Sequence, residues 1–285
     1  MNRELKLLSL WLNLNRLALN VSKTNFVIFR STKKPLNHNV ILIINRKAIE
    51  QKDHVKYLGV LMDQHLSWKQ QISNVSKKIS RDIGILAKLR GSMDRKLLID
   101  IYYCLVFSHL SYGVEAWGSS CETNLKRLSI LQNKAVRILT RHQYFQIFGE
   151  RPGPLPSASP LFKELKFLKF GDVFKLNIAK FVYLTLCEQS PSIFDDWFVY
   201  NHSIHSHATT SSVIISQSDH FDVGTEQLTY TLHVKKYKLT NYGNKKIQVL
   251  GPLIWNDIPY KIQDASSIQS FKFHLKIFFL ENYGE

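Results

Sequence analysis

The period at which apolar residues recur changes near residue 66, and that change limits the folds open to this chain. Before it lie short β-branched and aromatic runs: Asn25 to Arg30, Val40 to Ile44, and Val55 to Met62, the last ending near Asp63. Such runs predict three or four strands, and Asn45-Arg46, set between Ile44 and Lys47, predicts a hairpin turn. Ahead of them, Leu5, Leu8, Trp11, Leu12 and Leu19 are spaced for an amphipathic helix from Glu4 to about Leu19. Beyond residue 66 the apolar residues step by three or four as far as His142. Ile72, Val75, Ile79, Ile83, Leu86 and Leu89 predict a helix that opens at Ser67-Trp68 and stops at Gly91. A second is expected from about Asp94 toward Tyr112-Gly113, and a third over Glu122 to Arg141, with Leu125, Leu128, Leu131, Val136 and Leu139 on one side and Lys126, Arg127, Lys134 and Arg137 largely on another. The three are expected to pack as a small bundle.

Arg151-Pro152-Gly153-Pro154-Leu155-Pro156-Ser157 is dense in turn formers and reads as a linker. A further helical region is expected from Pro160 to about Glu188, a polar loop over about 200–230, a turn anchored by Trp255 within Gly251 to Pro259, and a last helix from Ser267 to about Leu280. The class is therefore α+β: a short antiparallel sheet in 1–66, a mostly helical bundle in 67–148, a linker in 149–159, and a mixed region in 160–285.

Lysine and arginine outnumber aspartate and glutamate 38 to 22, a net charge of +16. That balance favours a polyanionic partner over an acidic small molecule, and nucleic acid is the first candidate. Cys104, Cys121 and Cys187 are far apart and read as reduced, structural thiols, while His202, His205 and His207 read as a solvated loop, since no further ligand is suitably spaced for a tetrahedral metal site. No run of about 18 apolar residues and no leader pattern is seen, so an intracellular chain without a membrane span is expected. Nothing in the sequence sets the oligomeric state.

Trp11 to Thr24 followed by Phe26-Val27-Ile28-Phe29 resembles the segment just after the catalytic aspartates in jockey-like, non-LTR (LINE-type) retrotransposon reverse transcriptases. Further matches follow in order: Val55 to Val60 with Trp68 after it, Leu110-Ser111-Tyr112-Gly113 with Trp117-Gly118, Leu131 to Arg137, and Gly251 to Pro259 with Phe271-Lys272 behind it. The resemblance covers nearly the whole chain. It implies that 1–66 corresponds to a palm remnant with a primer-grip hairpin and 67–148 to a thumb-like bundle, with 160–285 a family-specific C-terminal domain.

The resemblance also implies roles. Lys23 matches a palm lysine whose ammonium faces the incoming triphosphate and can protonate the departing pyrophosphate. Tyr57-Leu58-Gly59 matches the primer grip, where a bare glycine backbone approaches the primer terminus. Lys77, Lys78, Arg81, Lys126, Arg127, Lys134 and Arg137 are candidates for phosphate contact with an RNA or RNA–DNA hybrid duplex. Read without the resemblance, Lys23 is a surface lysine ahead of a strand, Gly59 a strand glycine, and about half of the helix cations solvated charge.

Polymerase chemistry needs two metal ions held by carboxylates. The only Asp-Asp pair, Asp195-Asp196, follows the thumb-like segment and reads as a surface turn. The resemblance places the fingers and most of the palm ahead of Met1. A truncated polymerase segment, inactive alone, is the first expectation, and a basic RNA or RNA–DNA hybrid binding module without catalysis is the alternative. No cofactor is expected on this chain itself, Mg2+ being expected only for the full-length polymerase. A nuclear address follows from the family's insertion chemistry.

Overall fold

The computed structural model describes residues 1–34, 40–140, 157–204, 213–215, 228–237 and 243–284. The expected linker up to residue 156, the end of the third helix at Arg141 and His142, and most of the 200–230 segment with His205 and His207 lie outside the described residues. The chain divides into two units, Met1–Val75 and Ser76–Glu285.

Two tight hairpins shape the first unit. Strands β2 (Ile43–Ile44) and β3 (Lys47–Ala48) pair antiparallel around Asn45 and Arg46, whose φ values of 49° and 61° give the type I′ geometry that matches strand twist. The run expected as one strand over Val55 to Met62 is instead a second hairpin, β5 (His54–Tyr57) and β6 (Val60–Asp63), turning at Leu58 and Gly59 with φ of 45° and 87°. A third pair, β1 (Asn25–Phe26) with β4 (Glu50–Gln51), is parallel. The described strands of this unit thus form three two-stranded ladders rather than one antiparallel sheet, because the turns at 45–46 and 58–59 close the two antiparallel pairs on themselves and β1 pairs only with β4.

Helix α1 (Asn2–Leu14) ends earlier than expected, where Arg16 takes a left-handed φ of 56°. Its Asn2 side chain acts as a strand residue, donating to the Ile41 carbonyl at 3.2 Å and accepting from the Ile43 N–H at 3.1 Å. Leu5, Leu19, Val21 and Phe26 pack on a small core of Leu42, Ile44 and Ile49. No α1 residue is buried, and Leu7, Leu10, Trp11 and Leu14 are exposed.

Helix α2 (Lys69–Leu89) begins under Asp63, whose carboxylate accepts from the N–H groups of Trp68 at 2.9 Å and Ser67 at 3.1 Å. Those bonds satisfy donors that the approach to a helix leaves free. The Gln71 amide oxygen accepts from the Leu61 N–H at 2.9 Å and so ties the β5–β6 hairpin to the same helix start.

In the second unit, α3 (Arg95–Ile101) starts at Asp94, which accepts from the Leu97 N–H at 3.0 Å as an N-cap should. It runs through a π-helical stretch, Tyr102–Phe107, into α4 (Ser108–Ser111), and α5 (Val114–Trp117) follows. Leu98, Tyr102, Val106 and Leu110 are all buried at a constant spacing of four. An α-helix with 3.6 residues per turn carries such a row around its axis, and the wider π turn holds it on one face. Helix α6 (Glu122–Leu139) buries Leu128, Gln132, Ala135, Val136 and Leu139.

These helices share one core with α7 (Ser159–Leu165) and α8 (Phe170–Leu186), which are separated where Lys166 takes a φ of 54°. The Tyr102 ring stacks on Phe167 at 4.4 Å and Trp117 on Phe170 at 5.7 Å. Gln132 locks the junction: its amide nitrogen donates to the Tyr102 hydroxyl at 3.0 Å and the Leu168 carbonyl at 2.8 Å, and its oxygen accepts from the Phe170 N–H at 2.8 Å. Every polar atom of this buried side chain is thereby used toward three segments.

The C-terminal elements close over α8. The segment of Gly251 to Pro259, expected as a turn anchored by Trp255, is helical as far as Asn256, within α9 (Ile247–Asn256), where a Cβ on Gly251 would stand 2.6 Å from the Phe198 ring and 3.0 Å from Val182. Trp255 is buried against Phe271 of α10 (Ile268–Glu281), and the Asn256 amide pairs with both the N–H and the carbonyl of Leu232. Gly251 is thus a close-packing residue, Trp255 an anchor, and Asn256 a clamp on an extended segment. Asp195 and Asp196 are exposed on a 3-10 turn, and all three cysteines are free and exposed. The class is α+β, mostly helical, with a few short two-stranded sheets.

Candidate nucleic-acid interface

The burial of α6 fixes which way its charges face. With Leu128, Gln132, Ala135 and Val136 turned inward, Lys126, Arg127, Lys134 and Arg137 fall within about 100° of one another on the opposite side. Lys126, Arg127 and Lys134 are exposed and Arg137 is half-buried. Ile130, 57% exposed, sits among them, so the face is a basic stripe with one apolar residue in its middle. On α2, Lys77, Lys78 and Arg81 are exposed, while Ile79, Ile83 and Leu86 are buried on the other side. Both arrangements suit a phosphate backbone, which asks for mobile cations at intervals along a helix and little else.

In the first unit, the β5–β6 tip presents Tyr57 and Leu58 outward, 63% and 74% exposed. A leucine at φ 45° is costly, since only glycine, asparagine and aspartate visit that region readily. Leu58 therefore gives up backbone energy to hold an apolar side chain at the hairpin tip. Lys23 is exposed at the end of a single 3-10 turn, Val21–Lys23, just ahead of β1.

One charged group lies where the periodicity predicts an apolar one. Asp82 of α2 is 2% exposed, on the same face as Ile79, Ile83 and Leu86. Its Oδ2 lies 3.4 Å from His109 Nε2 of α4, and Arg81 Nε lies 3.5 Å from its Oδ1. Burial holds the His109 imidazole below its ordinary range, as do Lys78 and Arg81, while Asp82 pulls the other way. An acid within an apolar row was a signal available in the sequence, and it marks His109 only once the fold brings the two together. Asp63 differs: burial raises its carboxyl, but the N–H groups of Ser67, Trp68 and His65 and the Ser67 hydroxyl outweigh that and hold it below the usual carboxylate range.

Among the described residues no group of three or more His, Cys, Asp or Glu is placed to hold a metal ion. No described helix is long and apolar enough to cross a membrane.

Comparison with known proteins finds relatives of one kind. The chain is 27% identical over 141 residues, 47% of its length, to a probable RNA-directed DNA polymerase from transposon X-element of Drosophila melanogaster, of which that stretch is 15%. It is 28% identical over 99 residues to the RNA-directed DNA polymerase from mobile element jockey of Drosophila funebris, covering 33% of this chain and 11% of that protein. Against the jockey polymerase of Drosophila melanogaster the identity is 24% over 141 residues, 48% of this chain and 14% of the relative. No family model matches the chain. No solved structure matches it. Across about a third to half of its length, this chain is distantly similar to the reverse transcriptases of jockey, X-element and BS non-LTR retrotransposons.

Proposed function

We propose that this chain is a duplex-holding segment of a non-LTR RNA-directed DNA polymerase, binding an RNA or RNA–DNA hybrid duplex through the outward faces of α2 and α6. The observation that carries the reading is the charge sorting on α6, where four cations share the side opposite the buried one. The similarity to RNA-directed DNA polymerases and the net charge of +16 support it. On this reading residues 67–148 act as the thumb, 1–66 carry a palm portion, and 160–285 buttress the thumb through α8. The Tyr57-Leu58-Gly59 tip meets the primer end: Leu58 offers an apolar contact to a sugar, and Gly59 leaves room for the backbone to approach. Lys23 faces the triphosphate. On this reading the place of work is the nucleus, where retrotransposon insertion occurs.

Replacing Lys126, Arg127 and Lys134 together with alanine tests the reading. Loss of three phosphate contacts is expected to weaken binding of a hybrid duplex at low salt by at least tenfold and to reduce the salt slope by about three. Unchanged affinity in a folded variant would refute the placement of α6 on the duplex.

A further inference from the structure

The Asp82–His109 pair is not explained by stability. A carboxylate that is only 2% exposed, with an Oδ2 that makes no hydrogen bond among the described residues, is costly to bury. A protonated His109 would complete the pair at 3.4 Å. Burial of the ring and the neighbouring Lys78 and Arg81 oppose that proton. Every charged group that acts on the ring, Lys78, Arg81 and Asp82, comes from α2, and α8, which also packs on α4, adds none. Two fixed positive charges against one negative leave the cluster net positive before the ring is protonated. Lys78 and Arg81 are exposed and a helical turn apart, and His109 keeps 30% of its side chain open. The cluster is thus short of one negative charge, on an accessible surface, with a ring that gains a proton if that charge arrives.

We propose that Lys78, Arg81 and His109, backed by the buried Asp82, form a phosphodiester-binding site in which His109 takes up a proton as a backbone phosphate of the duplex seats. The proposal rests on the reading of α2 as a duplex-facing helix. A phosphodiester beside Lys78 and Arg81 offsets their repulsion of the imidazolium and adds an anion of its own, while Asp82 receives the ring from behind. The ring then carries its charge between two anions, one from the protein and one from the ligand. Because the bound state holds the extra proton, affinity rises as pH falls and levels off once His109 of the free protein is itself protonated. A rise of one pKa unit on binding corresponds to about a tenfold gain in affinity.

The test is fluorescence anisotropy of a labelled RNA–DNA hybrid duplex with the full chain at fixed ionic strength, between about pH 8 and about pH 5.5, a window chosen to span the histidine range. Wild type is expected to gain about tenfold in affinity across it, and His109→Gln less than about twofold. The His109 Cε1–H resonance of the wild type, followed by NMR, is expected to titrate at higher pH once duplex is added, a readout independent of any variant's folding. Binding with the same pH dependence in both proteins, or a His109 titration unmoved by duplex, overturns the proposal and leaves the duplex-holding reading intact. Absence of duplex binding by the wild type at every pH overturns both.

Discussion

Replacing Gln132 with methionine keeps the volume and unbranched shape of the side chain and removes all of its polar atoms. The three groups that it serves, the Tyr102 hydroxyl, the Leu168 carbonyl and the Phe170 N–H, then lose a partner inside a core where Tyr102 and Phe167 are almost wholly buried. A buried polar group left unsatisfied costs about 1–3 kcal/mol, and three in contact are not additive, so a loss of about 3–5 kcal/mol is expected. For a unit of this size that is a fall of about 6–20 °C in Tm. Urea unfolding followed by far-UV circular dichroism reads the loss as a lower midpoint with an unchanged m value. A loss below about 1 kcal/mol would refute the argument, because it would mean that the junction of α6 with the segment between α7 and α8 is held by ring stacking and not by this amide.

Asp63→Ala should destabilise the first unit by about 0.5–2 kcal/mol, the usual cost of removing a capping carboxylate, as measured by thermal unfolding. Because the folded state holds the Asp63 carboxyl below its unfolded value, its contribution is full above the ordinary aspartate range and is lost as pH falls through the depressed folded value. The wild type should therefore lose more stability on acidification than the variant, and equal acid sensitivity would contradict that assignment. Leu58→Asn should raise the stability of the same unit by about 0.5–1 kcal/mol, since asparagine tolerates a left-handed φ, while weakening duplex binding through loss of the apolar tip. A destabilised hairpin would show that the Leu58 side chain contributes more to the fold than its backbone costs.

What could be read in the sequence was whatever local chemistry decides. Asn45-Arg46 announces a turn because polar residues interrupt a β-branched run, and the α6 stripe is written in its 3.6-residue spacing. Pairings that depend on distant partners were not legible. The parallel β1–β4 ladder joins Asn25 to Glu50, and nothing in either dipeptide signals the other. The π turn at Tyr102–Phe107 was present only as a spacing of four that also fits an α-helical reading over short stretches. Gln132 looks like any polar helix residue until Leu168 and Phe170 arrive to use it. Trp255 reads in the sequence as the anchor of a turn, yet it lies inside a helix in which Gly251 serves close packing and Pro252 is tolerated. The basic residues of α2 and α6 were legible as a set, but Asp82 and His109 became a pair only when α4 packed against α2.

The salt dependence of hybrid-duplex binding by the unmodified chain tests the central claim most directly. If α2 and α6 lie along a phosphate backbone with about five or more contacts, log affinity falls linearly with log salt at a slope of about −4 or steeper, with little dependence on duplex sequence. Absence of binding at low salt, or an affinity that does not respond to salt, would contradict the assignment of these helices to nucleic acid.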